Sequence, residues 1–331
     1  MNTRLNNFPL PLPDEHILST LVRWHAVQYY ENFHKSCSGI STNSYNLKPD
    51  SIWRRIFNDI LNILPDSFGL KDLIKHTLLN YYSVFQTNGF SQTTIVENCS
   101  SERKTTPKFQ KFIKNTKEWR WCHFCTEEDE EKYGTSYWHC SHQIPTVARC
   151  KIHAVDLIGK CRQCNFSIRD LASGLLPSGS HCRQCGALLI SVSKIDCSVK
   201  QWICQTSEYL HQSNGDSKIV IIKEELKNNL ECFLESNRIS VARRNHSFKV
   251  KNAIFKSILT ENSASEFLSP EFHNSYYFRI FNVNSIIFGE EKYPPLYYLL
   301  LLKAIIKDDN KINQILGIDL EGSHDQSLSY N

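Results

Sequence analysis

Alternating prolines in Phe8-Pro9-Leu10-Pro11-Leu12-Pro13 forbid a helix at the start of the chain, and an amphipathic pattern takes over directly after them. Ile17, Leu18, Leu21 and Trp24 recur at helical spacing, with Asp14 as the expected N-cap. Ile52, Ile56, Phe57, Ile60 and Ile63 repeat the pattern until Pro65 stops it, and Leu70, Leu73, Ile74 and Leu78 follow. These short helices make one N-terminal unit whose pattern suits a helix-turn-helix module and equally a small bundle. Over 92–107 the chain turns polar, which predicts a linker or exposed loop. Helical periodicity returns after Val199, with Ile222, Leu226, Leu230, Phe233 and Leu234 on one stripe and Val250, Ile254 and Ile258 on another. The apolar run 296–302, extended by Ala304, Ile305 and Ile306, falls short of the roughly twenty residues that span a bilayer and reads as a buried helix. The last dozen residues are polar and read as a frayed end.

Between the two helical regions the pattern is carried by cysteine instead. Cys122-x2-Cys125 and Cys150-x2-His153 form one set of four, and Cys161-x2-Cys164 and Cys182-x2-Cys185 a second. A Cys-x2-Cys knuckle lets two thiolates converge on one ion from a tight turn, and two knuckles complete a tetrahedral shell. Seventeen residues separate the knuckles of the second set, the spacing of a four-cysteine ribbon, and Gly186 suits the closing turn. The first set is less regular, with 24 residues between its halves and a histidine as last ligand. Three cysteines and a histidine are nonetheless a common structural set. The expected cofactor is two structural zinc ions. Disulfides are disfavoured, since residues 1–15 hold no apolar stretch of a secretory signal and thirteen cysteines is an odd number; a cytoplasmic protein is expected. A catalytic zinc would leave one position for water, whereas each set here supplies four protein donors.

The expected fold class is therefore mainly α with small zinc-ribbon β elements. A helical domain over 1–118 precedes a tandem zinc-binding region over 119–200 and a helical domain over 201–331. With 41% hydrophobic residues in 331, there is enough apolar surface for real cores. The formal charge of +4 falls to about +1 once bound thiolates are counted, so net charge selects no partner. Its distribution says more: Arg103, Lys104, Lys108, Lys111, Lys114, Lys117 and Arg120 lead to the first knuckle, and Glu127, Glu128, Asp129, Glu130 and Glu131 follow it. Both runs read as solvated faces at least as readily as a nucleic-acid footprint. The candidate nucleic-acid contacts are Arg238, Arg243, Arg244, Lys249, Lys251 and Lys256, a basic stretch beside a predicted helix pair. Trp119, Trp121, Tyr133, Tyr137 and Trp138 are expected to pack as a small core around zinc, and Cys140, His139 and His142 to be polar or packing residues near it.

At the first knuckle the residue identities add to the spacing. Trp121-Cys122-His123-Phe124-Cys125, Tyr133-Gly134, Tyr137-Trp138-His139, Ser141-His142-Gln143-Ile144-Pro145 and Cys150-Lys151-Ile152-His153 together resemble the TniQ/TnsD family of transposition target-selection proteins. The opening residues 8–15, the segment 76–82 and the apolar helix from Pro294 join the resemblance. Members often carry arginine where Cys140 stands and proline where His123 stands; neither departure removes a proposed ligand. The resemblance implies a bacterial, nucleoid-associated adaptor that catalyses nothing, marks an insertion site and recruits the AAA+ ATPase TnsC. Its implied partners are TnsC, target DNA, an RNA-guided CRISPR effector complex and a second copy of itself, with no membrane partner. TnsD-like members carry a further DNA-reading extension beyond the point where this chain ends, so a short member and a piece of a longer protein both fit. Two other readings compete from the residues alone: a sequence-specific DNA-binding regulator, and a zinc-dependent nuclease using an acidic residue such as Glu128 or Asp129.

Overall fold

The computed structural model describes residues 8–28, 30–40, 47–49, 52–86, 113–189, 198–236, 267–268 and 283–318. The stretch 92–107, the stripe at Val250, Ile254 and Ile258, and the end of the chain lie outside the described residues.

Helix α1 (Ile17–Val27) forms where the sequence places its first apolar stripe, but Asp14 does not cap it. His16 is the N-cap, its Nδ1 accepting from the Leu18 N–H at 3.2 Å, while Asp14 sits at φ +56° and turns its carboxylate away toward Ser141. An Asp tolerates this left-handed backbone because its short side chain bonds locally. Ile17, Leu18, Leu21 and Val22 have no solvent exposure. The proline segment is tied to α1 by Arg23, which donates to both oxygens of the buried Glu15 at 2.8 and 2.7 Å and to the Leu10 carbonyl at 2.7 Å. Breaking that pair would leave a buried carboxylate uncompensated, a loss of roughly 3–5 kcal/mol.

Helices α2 (Phe33–Cys37), α3 (Arg55–Leu61), α4 (Leu70–Lys75) and α5 (Leu79–Ser83) complete the N-terminal part. Helix α6 (His123–Tyr133) opens the cysteine-rich region and ends on Gly134 at φ +70°, a backbone position that favours glycine. Helices α7 (Ser198–Gln212), α8 (Ile219–Ser236), α9 (Val283–Phe288), α10 (Pro295–Ile305) and α11 (Asp309–Leu316) follow. Eleven α-helices among the described residues make the fold mainly helical. Its β structure is limited there to five isolated bridges, among them Trp121 with Ile158 and His181 with Leu188.

The apolar run becomes α10, with Pro295 in the first turn, where the missing N–H costs nothing. It is buried on almost every side, against α8, and Tyr298 stacks on Phe85 with ring centroids 5.7 Å apart. No described helix is long and apolar enough to cross a membrane.

Helix α5 packs on α7, and a chain of hydroxyls runs between them through the cysteine-rich region. Tyr81 meets Thr146 at 2.8 Å, and Thr146 donates to Ser207 at 2.7 Å. Trp119 and Trp138, both without exposure, lie 5.6 Å apart; Trp121 packs edge-on against Trp138 at 5.8 Å. The indole N–H of Trp119 donates to the Leu47 carbonyl and that of Trp138 to the Leu175 carbonyl. These tryptophans join the helical core to the cysteine-rich region, so the aromatic group is buried core, with Tyr133 at its edge.

Candidate metal centres

The first set of four converges from two different local structures. Cys122 is the N-cap of α6 and Cys125 lies in its first turn, so helical geometry aligns two thiols on one side. The other two donors come from a knuckle turn. The Cys150 N–H donates to the Val155 carbonyl at 2.8 Å, the Ala154 N–H returns to the Cys150 carbonyl at 3.0 Å, and Ala154 takes φ +52°. A two-way bond between Trp121 and Ile158, at 3.0 and 2.8 Å, sets the turn beside the helix. Cys125 Sγ then lies 3.5 Å from Cys150 Sγ, and His153 Nδ1 lies 3.3, 3.6 and 3.7 Å from the sulfurs of Cys125, Cys122 and Cys150. A tetrahedral ion with bonds of about 2.3 Å needs roughly 3.8 Å between sulfurs, and a little less to nitrogen.

The second set uses the knuckle turn twice. Cys161 N–H donates to Phe166 and Asn165 N–H to Cys161; Cys182 N–H donates to Ala187 and Gly186 N–H to Cys182, all at 2.8–3.0 Å. Asn165 (φ +59°) and Gly186 (φ +70°) occupy the position held by Ala154 at the first set. Cys161 and Cys185 are 3.7 Å apart, as are Cys164 and Cys182. Within each set the donor atoms all lie within 4.8 Å of one another, and the two sets could hold two metal ions.

Around the first centre the protein supplies further polar support. His153 Nε2 lies 2.9 Å from Glu128 Oε1, which makes Nε2 the protonated nitrogen and leaves the Nδ1 lone pair for an ion. His142 Nε2 lies 4.0 Å from Cys125 Sγ. Arg120 is 4% exposed and has no carboxylate partner among the described residues; its guanidinium donates to the carbonyls of Val147 and Ile144. Gln143 clasps the Arg120 backbone in both directions, at 3.0 and 2.8 Å. The loop that leads to Cys150 is thereby held from inside. Burial lowers the Arg120 guanidinium to about 10, still charged at neutral pH.

Behind this loop lies a second polar group. His139 stands between two carboxylates, with Nε2 2.8 Å from Asp129 and Nδ1 3.4 Å from Asp14. Burial works against its charged form, but the bonds to Asp129 and Asp14 win and raise the imidazole to about 10. Burial also acts to raise Asp14, yet His139, His211 and Ser141 hold it well below the usual carboxylate range. Glu208, 6% exposed, is pushed by burial up to about 7 against the opposing pull of Lys151.

All eight cysteine and histidine positions singled out from spacing fall into these two sets. Arg238, Arg243, Arg244, Lys249, Lys251 and Lys256 lie outside the described residues, as do Arg103, Lys104, Lys108 and Lys111. Of the two charged runs, Lys114, Lys117, Glu127, Glu128, Glu130 and Glu131 are exposed, but Arg120 and Asp129 are buried with partners, so neither run is wholly a solvated face. Periodicity on α6 was the signal available for Glu128, three residues after Cys125 and hence on the same helix face. Nothing local marks Arg120 apart from the lysines before it. His123 opens α6 at its first position, where a proline would also be accommodated. Cys140 is fully buried, with its thiol raised by burial, and belongs to neither set.

Residues 7–157 match the family model described as TniQ. The matched stretch runs from the proline segment through the first metal centre. The match stops short of Cys161 and does not reach the helix from Pro294. No curated protein matches the chain.

Proposed function

We propose that this chain, with a TniQ domain over 7–157, is a non-catalytic target-selection adaptor of a TnsABC-type transposon. It marks the insertion site and recruits the AAA+ ATPase TnsC. The observation that carries the reading is the placement of the first metal centre inside the TniQ domain, where a four-donor clamp and the Arg120 and Gln143 contacts stiffen loops that have no ladder of strands to do so. A rigid surface is what recruitment of a second protein requires.

Zinc is the metal that suits both donor sets, because sulfur-rich tetrahedral shells with separations near 3.7 Å fit it. Cys122, Cys125, Cys150 and His153 would hold one ion, and Cys161, Cys164, Cys182 and Cys185 the other. Bound there, zinc supplies cross-links; with four protein donors in each shell, no position is kept for water or substrate. Target DNA is reached either directly or through an RNA-guided CRISPR complex.

The test uses the purified zinc-loaded chain, a purified TnsC-type ATPase and labelled duplex. Retention of the ATPase by the chain, lost with Cys150→Ser, is the expected result. Sequence-specific footprinting by the chain without any binding of the ATPase would replace this reading by a DNA-binding regulator. Strand cleavage abolished by Asp129→Asn would replace it by a nuclease.

A further inference from the structure

A cleft of about 880 Å³ opens where α4, α5, α7 and the Cys150–His153 turn meet, with one wall formed by the first metal centre itself. Two separate elements bring cations to its lining. Lys71 and Lys75 lie one turn apart and exposed on α4, and Lys151 projects from the knuckle turn. Lys75 is 3.5 Å from Asp72, whereas Lys71 and Lys151 form no ion pair among the described residues. Two carboxyls in the wall offset part of this charge but not all of it: Asp14 accepts from the Ser141 N–H and hydroxyl and pairs with His139, and Glu208 acts on Lys151 alone of the three lysines. An excess of positive charge remains, and low-dielectric walls focus it into the concavity.

The same rim carries apolar surface that solvated lysines do not need. Ile152, next to Lys151 in the lining of the cleft, is 71% exposed, while Phe124, 42% exposed, lies outside that lining against the His153 ring, with centroids 5.3 Å apart. Both sit on the metal-centre elements and are thus held in place by the donors beside them. At the mouth of a charged cleft, that exposed aliphatic area gives an apolar side chain of a bound polypeptide a surface to cover.

We propose that this cleft docks an acidic polypeptide segment of a partner protein, with its carboxylates on Lys71, Lys75 and Lys151 and a large apolar side chain against Ile152. A nucleic-acid backbone would use the lysines but has no use for an aliphatic Ile152. The inference does not depend on which protein the chain recruits.

Fluorescence anisotropy of the zinc-loaded full chain tests it, with a labelled short peptide alternating glutamate and leucine as probe. A lysine–leucine peptide and a short single-stranded oligonucleotide serve as comparators. The expected result is saturable binding of the glutamate–leucine peptide that weakens with salt and falls by about tenfold in Lys71→Glu/Lys151→Glu. Ile152→Ser, on an exposed side chain that the fold does not need, weakens it further without altering the far-ultraviolet spectrum. Absence of binding, preference for the lysine–leucine peptide or the oligonucleotide, or binding untouched by these substitutions overturns the proposal.

Discussion

At the first metal centre all three sulfur donors are buried, backed by α6, the Trp121–Ile158 pair and the Arg120 clasp, whereas at the second Cys185 is exposed and Cys164 half-buried. Both centres use the same knuckle turn, with a left-handed residue four positions after its first cysteine. The difference lies in what surrounds the donors. Glu128 and His142 stand next to the first set, and the indoles that pack on the helical core adjoin it. Only the first centre falls within the TniQ match. Local turn chemistry thus builds a metal site, and burial decides whether losing the metal is felt by the whole fold or only by a turn.

The strongest way to break this comparison is to remove one donor at each centre. Cys150→Ser should cost roughly 3–5 kcal/mol of stability and the near-ultraviolet signal of the packed tryptophans, measured by thermal melts and circular dichroism. Cys185→Ser should release one ion per chain with a much smaller shift in the main transition, and Cys37→Ser should keep both ions. Equal losses from the two donor variants would mean that the second centre is as deeply coupled as the first.

Alkaline pH offers a second, smaller lever that reaches only the first centre's surroundings. Because His139 is raised to about 10 in the folded state from an ordinary value near 6.5, its charged pairing contributes fully below about pH 6.5 and is lost as pH rises through 10. Asp14, held low, contributes above its ordinary range near 4 and is lost only in acid. Melting temperature should therefore decline between pH 7 and 10, a change on the order of a few kcal/mol, and Asp129→Asn should flatten the decline. A pH profile identical in the variant would detach this network from the stability of the region.

The smallest expected effect sharpens the comparison at a single contact. Glu128→Gln should lower zinc affinity at the first centre by about tenfold while leaving the second unchanged, read by competition with a chromophoric chelator. Glu128 is 63% exposed on its side chain, which places the expected effect at the low end of such orienting contacts.

Much of the site was legible because metal ligation repeats at short spacing: a thiol three residues past another is within one turn, whatever the rest of the chain does. The helix stripes at Ile17 and Leu296 were legible for the same reason, since period and burial coincide along a single element. Asp14 misled as an N-cap because its partners, Ser141 and His139, lie more than a hundred residues away, and the cap fell to His16 instead. Arg120 and Asp129 looked like members of solvated charge runs because nothing in their neighbours records a buried carbonyl or an opposing imidazole.

By itself, then, the sequence determined the donor sets, the helical character and the absence of a stretch able to span a bilayer, all of which follow from periodicities within a few turns of chain. Only the tertiary structure decided which centre is buried, which charges are internal, and that Lys71 of α4 and Lys151 of the knuckle turn face one cleft. Those outcomes depend on contacts between residues far apart in the chain, where desolvation and pairing act and where no local pattern carries the information.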